Sequence, residues 1–152
     1  DVHLMIEKPE RKLDTIIDAG ADIITIHQES TTRLYSCIEK IKSRGVKAGV
    51  VLSPATNEDT LKYVLDKIDM ILLMTINPGE AGPGFHEELL TKIKNVRELI
   101  GDRDIDLEVD GGIDNTNIAK CKEAGVNVFV SGGYVFKGDI AEKIKTLREA
   151  LK

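Results

Sequence analysis

The stretch Asp106-Leu107-Glu108-Val109-Asp110-Gly111-Gly112 joins a short strand-like run to a terminal carboxylate and two glycines. A run this short, bounded by glycine, is typical of a strand in a parallel sheet rather than of a helix. Similar runs recur along the chain. The sequence therefore predicts six strands, at residues 2–6, 22–27, 47–52, 70–76, 105–110 and 127–131.

Segments with helical periodicity lie between these strands. Three of them carry apolar stripes with spacings of three or four residues: Leu34, Ile38 and Ile41; Leu61, Val64, Leu65 and Ile68; and Ile140, Ile144, Leu147 and Leu151. Gly20, Gly45 and Gly125 each stand between a helical segment and the next strand, where glycine readily ends a helix. Thr56 and Asp59 have the spacing of a capping box, which predicts a helix start.

The strict alternation of strands and helices predicts a parallel sheet with right-handed crossovers, either an open doubly wound sheet or a β/α barrel. A barrel brings the C-terminal ends of its strands to one mouth, whereas an open sheet spreads them along an edge. Polar residues at or just past five predicted strand ends favour the barrel: His3, His27, Asn77, Asp110 and Ser131. No Gly-x-Gly-x-x-Gly follows a predicted strand, which weakens the dinucleotide-binding alternative.

The length predicts a partial barrel. Six units in 152 residues take about 25 residues each, and eight such units would need roughly 200. The chain also begins at Asp1 directly in strand-like sequence, without an initiator methionine. We expect residues 1–152 to form a single α/β domain, a (β/α)8 TIM barrel that lacks its first two β/α units.

The composition restricts the classes of partner. Hydrophobic residues make up 41% and charged residues 31%, as in globular proteins. The formal net charge of −5 argues against general attraction to nucleic acid or to an anionic membrane, and no apolar run is long enough to span a bilayer. Cys37 and Cys121 lack metal-type spacing and indicate reduced thiols, so we expect a cytoplasmic location.

Glycine-bearing turns follow the last three predicted strands. They are Asn77-Pro78-Gly79-Glu80-Ala81-Gly82-Pro83-Gly84, Asp110-Gly111-Gly112 and Ser131-Gly132-Gly133. Glycine lets the backbone approach a ligand and point its N–H groups toward an anion. β/α barrels commonly bind phosphate at such turns. One pair could simply make a tight turn, but two pairs in consecutive units and a long loop favour a phosphate site.

Titratable residues at the predicted mouth are candidates for chemistry. Asp110 ends its strand beside the phosphate turns, where a carboxylate can move a proton or can simply cap the turn. His3 and His27 come from neighbouring strands, and their pairing is about equally compatible with metal or acid–base chemistry and with structural hydrogen bonding. Met5 and Met74 are expected to flank the same cavity.

A series of short motifs resembles the ribulose-phosphate 3-epimerase family. The motifs are Asp1-Val2-His3-Leu4-Met5, Thr25-Ile26-His27, Lys47-Ala48-Gly49-Val50, Ser53-Pro54-Ala55-Thr56, Met74-Thr75-Ile76-Asn77-Pro78-Gly79 and Glu108-Val109-Asp110-Gly111-Gly112-Ile113. They occur in the family's order and span essentially the whole chain. Each is weak alone, and together they are specific to this family and its close ketose-phosphate relatives.

The resemblance implies an isomerase of the pentose phosphate pathway that interconverts ribulose 5-phosphate and xylulose 5-phosphate. Two aspartates would move the C3 proton, while a divalent metal (Zn, Fe or Mn), bound by two His and those two Asp, stabilises the enediolate. On this sequence, Asp110 would be a catalytic residue, and His3 and Asp110 metal ligands. The implied substrate and phosphate contacts are His3, Met5, Met74, Gly79, Glu80, Ala81, Gly82, Gly111, Gly112, Gly132 and Gly133. The family also implies a homo-oligomer.

Departures from the family pattern keep alternatives open. The other metal-binding His and Asp, and a substrate-contacting Ser, have no match in the chain. Glu80-Ala81 replaces the usual Phe-Gly, and Gly133 replaces a common Ser or Thr. The alternatives are an allulose-6-phosphate 3-epimerase or related sugar-phosphate enzyme, a decarboxylase or aldolase barrel, and a non-catalytic phosphate-binding barrel. The decarboxylase type carries Asp-x-Lys-x-x-Asp where this chain has Asp1-x-His3.

Overall fold

The sheet has the strand order of a barrel. A computed structural model describes residues 1–80 and 84–152, and six strands within these residues form one parallel sheet in strictly sequential order. The strands are β1 (Val2–Leu4), β2 (Ile23–His27), β3 (Lys47–Leu52), β4 (Met70–Met74), β5 (Asp106–Asp110) and β6 (Val128–Val130). A doubly wound sheet reverses its order at a switch point, so the barrel-type prediction is confirmed.

Helices cover one face of this sheet. They are α1 (Leu13–Asp18), α2 (Leu34–Ser43), α3 (Leu89–Ile100), α4 (Ile118–Glu123) and α5 (Ile140–Ala150). All five contribute to one hydrophobic cluster with alternate strand residues such as Ile24, Val50 and Ile71. The intervening strand residues point the other way, where Val51, Leu72 and Met74 form a separate cluster. Helices on one face and side chains packed on the other are the two layers of a β/α barrel.

The segment between β3 and β4 differs from its prediction. Residues 57–68 hold two 3₁₀ turns, Glu58–Leu61 and Leu65–Lys67, instead of one α-helix. The prediction that Thr56 and Asp59 form a capping box is also wrong. The side chain of Asn57 caps the first turn, and the Thr56 hydroxyl donates to Glu29 instead. The stripe nevertheless predicted burial correctly, since all four of its apolar residues are buried.

The ends of several elements also shift. β1 ends at Leu4 and β4 at Met74, two residues before their predicted ends. In the last stripe Leu147 is buried, whereas Ile140 and Ile144 are 46% and 37% exposed. The glycines that end α1, α2 and α4 do take positive φ values, of 95°, 75° and 113°. Within residues 1–80 and 84–152, no helix has the length and apolar character needed to cross a membrane.

Candidate active site

Two histidines and an aspartate from three strands meet on the inner face of the sheet. The Nε2 atoms of His3 on β1 and His27 at the end of β2 lie 2.7 Å apart. The Nδ1 atom of His3 lies 3.6 Å from Oδ2 of Asp110, the last residue of β5. Parallel strands place their C-terminal ends at one mouth, and strand alternation turns these three side chains away from the helices.

His27 connects this group to Glu29. The Nδ1 atom of His27 lies 3.3 Å from Oε2 of Glu29, which belongs to the 3₁₀ turn Gln28–Ser30. Burial lowers the pKa of His27, and the neighbouring His3 lowers it further, while Glu29 opposes both effects. His27 is therefore held toward its neutral form, in which one ring nitrogen donates and the other accepts.

Glu29 also anchors the loop after β3. Its Oε1 atom accepts from the backbone N–H of Ser53 at 2.8 Å and from the Thr56 hydroxyl. Burial alone would raise the pKa of Glu29, but the hydrogen bonds from Thr56, Ser53 and its own backbone lower it overall. The side chain is thus held as a carboxylate, which can only accept hydrogen bonds.

The same loop is fixed from its other side by Lys92 of α3. The Lys92 ammonium donates to the carbonyl oxygens of Ser53, Pro54 and Thr56, at 2.8, 3.2 and 2.5 Å. Burial lowers the pKa of Lys92, although Glu58 and Glu29 oppose this effect. Three carbonyls on one ammonium use all of its donors, so the loop is tied to the outer helix layer.

Glu108 is a buried carboxyl next to this group. It lies on the inner face of β5, with Leu72 and Val128 as its cross-strand partners, and is only 2% exposed. Its Oε2 atom has no hydrogen-bond partner within the part of the chain that the structure describes. Burial raises its pKa to about 7, and the nearby Asp110 contributes to this increase. Its alternation with Asp110 was the signal that could have identified it from sequence.

The glycine turns differ in what their glycines do. At Gly111 φ is 126°, and a Cβ there would lie 2.7 Å from Cγ1 of Ile76. At Gly112 φ is 65°, and a Cβ would lie 2.7 Å from the backbone N of Phe85. Close packing therefore explains why both positions of this pair are glycine. Gly132 and Gly133 have no positive φ and no described neighbour within 4 Å of an added Cβ, so packing against the described residues does not account for the second pair.

An open cavity of about 500 Å³ lies at the mouth. Its lining includes His27, Glu29, Met5, Ser53 and Gly79. His3 and Asp110 are not among the lining residues, so His27 forms the link between the cavity and the His–Asp pair. Of the two predicted methionines, Met5 is 49% exposed in this lining, whereas Met74 is 3% exposed and packs with Val51 and Leu72.

The remaining predicted contacts lie on the loop after β4. Gly79 has a φ of 80° in a turn where the N–H of Glu80 donates to the carbonyl of Asn77. The amide of Asn77 also donates to the Glu80 carboxylate at 3.2 Å. Ala81 and Gly82, predicted as phosphate contacts, fall outside the described residues.

The paired His3 and Asp110 have the donor chemistry of a divalent-metal site. Imidazole nitrogen and carboxylate oxygen are ligands that Zn, Fe and Mn accept, and a separation of 3.6 Å suits two ligands of one ion. Across residues 1–80 and 84–152, however, no group of three or more His, Cys, Asp or Glu side chains could hold a metal. The described residues therefore fit part of a metal site.

The fold and this placement of polar groups define a protein of the β/α-barrel class with a candidate catalytic centre at the C-terminal ends of its strands. The solved 3-keto-L-gulonate-6-phosphate decarboxylase from Vibrio cholerae shares the fold, with a TM-score of 0.77 at 19% identity, over 98% of this chain and 70% of that one. Within that class, the chain belongs to the ribulose-phosphate 3 epimerase family, whose model matches residues 1–136.

Curated members of this family are similar over nearly the whole chain. The chloroplastic ribulose-5-phosphate-3-epimerase of Arabidopsis thaliana is 44% identical over 97% of this chain and 54% of its own length. The ribulose-phosphate 3-epimerase of Bacillus subtilis is 42% identical over 97% of this chain and 70% of its own length. The chain thus spans 54% to 70% of the length of these relatives.

Proposed function

We propose that this chain forms part of a ketose-phosphate 3-epimerase that interconverts ribulose 5-phosphate and xylulose 5-phosphate. The observation that carries the proposal is the pairing of Asp110 with His3 at the mouth, 3.6 Å apart, in a chain of the epimerase family. C3 lies next to the carbonyl of the substrate, so its proton is acidic enough for a carboxylate base to remove.

In the proposed mechanism Asp110 exchanges a proton with C3 on one face of the substrate. A second carboxylate does so on the opposite face, which inverts the centre. A divalent metal held by His3 and Asp110 would supply Lewis-acid stabilisation of the enediolate oxygens. The additional ligands and the second carboxylate would come from β/α units outside these 152 residues, in keeping with the 54% and 70% of the relatives that the chain spans.

The substrate phosphate would bind at the glycine turns after β5 and β6. Gly132 and Gly133 support this proposal, because neither has a positive φ or a close neighbour among the described residues that would require glycine there. Gly111 and Gly112 would contribute backbone N–H groups, and Gly79 to Gly82 stay predicted phosphate contacts. Burial of both free cysteines is compatible with the reducing cytoplasm that we expect for this protein. The homo-oligomeric state stays a prediction.

The decisive experiment measures proton exchange at C3. Ribulose 5-phosphate is incubated with the intact protein in deuterated buffer, and deuterium at C3 is followed by NMR. Asp110→Asn should abolish the conversion of ribulose 5-phosphate to xylulose 5-phosphate while sugar-phosphate binding survives, because the amide keeps the shape and cannot act as a base. Asp114→Asn is the matched control, since among the described residues the Asp114 side chain accepts hydrogen bonds only from Thr116 in its own turn. An intact protein that binds the sugar phosphate without any exchange would instead be a phosphate-binding barrel.

The length of the sugar needs a separate comparison. Gly133 lacks the hydroxyl that family members commonly place there, and Glu80-Ala81 departs from the usual loop sequence. Both changes leave a six-carbon ketose 6-phosphate as the second candidate substrate. A higher kcat/KM for allulose 6-phosphate than for ribulose 5-phosphate would reassign the substrate while retaining the reaction.

A further inference from the structure

A continuous line of polar contacts runs from Asp110 to the loop after β3. Asp110 contacts His3, His3 contacts His27, and His27 contacts Glu29, at 3.6, 2.7 and 3.3 Å. Glu29 then accepts two hydrogen bonds from the loop. Each contact in this line restricts where the next hydrogen can lie.

The directions of the hydrogen bonds follow from Glu29. Its carboxylate can only accept, so Nδ1 of His27 carries the hydrogen that faces it. In a neutral imidazole the other nitrogen then accepts, which makes Nε2 of His27 the acceptor from His3. Nε2 of His3 must therefore donate, and Nδ1 of His3 keeps a free lone pair on the side of Asp110.

We propose that Glu29 is a positioning residue that fixes the tautomers of His27 and His3 and so presents the Nδ1 lone pair of His3 to a divalent cation shared with Asp110. A lone pair and a carboxylate oxygen 3.6 Å apart repel each other unless a cation stands between them. Metal-binding histidines are commonly oriented through their other ring nitrogen. Here the Glu29 carboxylate would orient His27, and His27 would in turn orient His3. The functional consequence of this positioning rests on the proposed metal-assisted epimerase activity.

The substitution Glu29→Gln tests this positioning role, because the loop after β3 fixes the orientation of the new amide group. Two donors, the Ser53 N–H and the Thr56 hydroxyl, face Oε1, so the amide oxygen must occupy that position. The NH₂ group then faces Nδ1 of His27 and needs an acceptor there. Both histidines should switch tautomer, which puts a hydrogen on Nδ1 of His3 and blocks the metal.

The first measurement is the ¹⁵N chemical shift of the imidazole nitrogens in the intact, metal-stripped protein at pH 8, above the ordinary imidazole pKa of about 6.5. We expect Nδ1–H on His27 and Nε2–H on His3 in the unmodified protein, and the reverse in Glu29→Gln. The second is the Kd for Zn²⁺ or Co²⁺, which should rise by about 10- to 100-fold in the variant. Thr56→Val is the matched control, since it removes one loop contact of Glu29 while keeping the carboxylate.

Several outcomes would overturn the inference. One is an Nε2–H tautomer of His27 in the unmodified protein, a measurement that remains available even if Glu29→Gln does not fold. Another is a folded Glu29→Gln protein with unchanged tautomers and unchanged metal affinity. An equal loss of metal affinity in Thr56→Val would assign the effect to loop anchoring. If the tautomers are those expected but the unmodified protein shows no C3 exchange, Glu29 does fix the two tautomers, and the proposed epimerase function fails.

Discussion

Replacing Glu108 by glutamine should change how the stability of the protein depends on pH. Glu108 is buried, and one of its oxygens has no hydrogen-bond partner among the described residues. Burial together with Asp110 raises its pKa from 4.5 to about 7. The folded protein therefore holds this proton more tightly than the unfolded chain does. The resulting stabilisation is fully present below pH 4.5 and is lost as the pH rises through 7.

The magnitude follows from the size of the shift. Raising the pKa from 4.5 to about 7 corresponds, at 1.36 kcal/mol per pH unit, to about 3 kcal/mol. Glutamine resembles the protonated carboxyl in shape and has no charge to desolvate. The free energy of unfolding of Glu108→Gln, relative to the unmodified protein, should therefore rise by about 3 kcal/mol between pH 4.5 and pH 8.5.

Urea unfolding at several pH values, with a chelator present, measures this difference directly. Effects of other titrating groups are common to both proteins and cancel in the subtraction. Glu98→Gln is the matched control, because Glu98 is exposed on α3 and its substitution should leave the pH profile unchanged. Parallel profiles for Glu108→Gln and the unmodified protein would refute the reasoning, since they would mean that Glu108 titrates alike in the folded and unfolded states.

Other substitutions separate packing from binding. Gly111→Ala should lower the free energy of unfolding by about 2 kcal/mol or more, because its φ is positive and its Cβ would overlap Ile76; chemical denaturation measures this. Gly133→Ala should change stability by less than about 0.5 kcal/mol, yet raise KM for the ketose phosphate. An unchanged KM would count against phosphate binding there. Lys92→Met should cost about 1–3 kcal/mol and speed amide exchange in the loop after β3, because three carbonyls lose their donor. Lys94→Met, on an exposed position of the same helix, should do neither.

Much of the fold could be predicted because its signals are local. Short apolar runs ended by polar residues identified the strands, and Gly20, Gly45 and Gly125 marked the ends of three helices through their positive φ. The region of residues 57–68 was predicted less well. An apolar stripe with spacings of three and four residues suits one α-helix or two successive 3₁₀ turns, so periodicity alone does not distinguish them.

The candidate site could also be predicted only in part. Parallel strands predict that residues at their ends converge, and the structure does bring His3, His27 and Asp110 together. Glu108 was missed. Its alternation with Asp110 places both side chains on the inner face of the sheet, but that pattern does not indicate how deeply the side chain of Glu108 is buried. The role of Glu29 depends on contacts with residues 24 and 27 positions farther along the chain. Contacts of that kind are set by the packing of one unit on the next, which periodicity does not report.

The mouth has one side fixed by side chains and another formed by glycine turns. On the β2–β3 side, Glu29 and Lys92 tie the loop to the sheet and to α3. On the β4–β6 side, no described residue lies within 4 Å of a Cβ added at Gly132 or Gly133. Proton transfer needs groups held within a few tenths of an ångström, whereas a phosphate can be held by backbone N–H groups that adjust to it. Substitutions at Glu29 should therefore alter metal binding and kcat, and substitutions at Gly133 should alter KM. The reverse pattern would place the phosphate beside β2 and β3 instead.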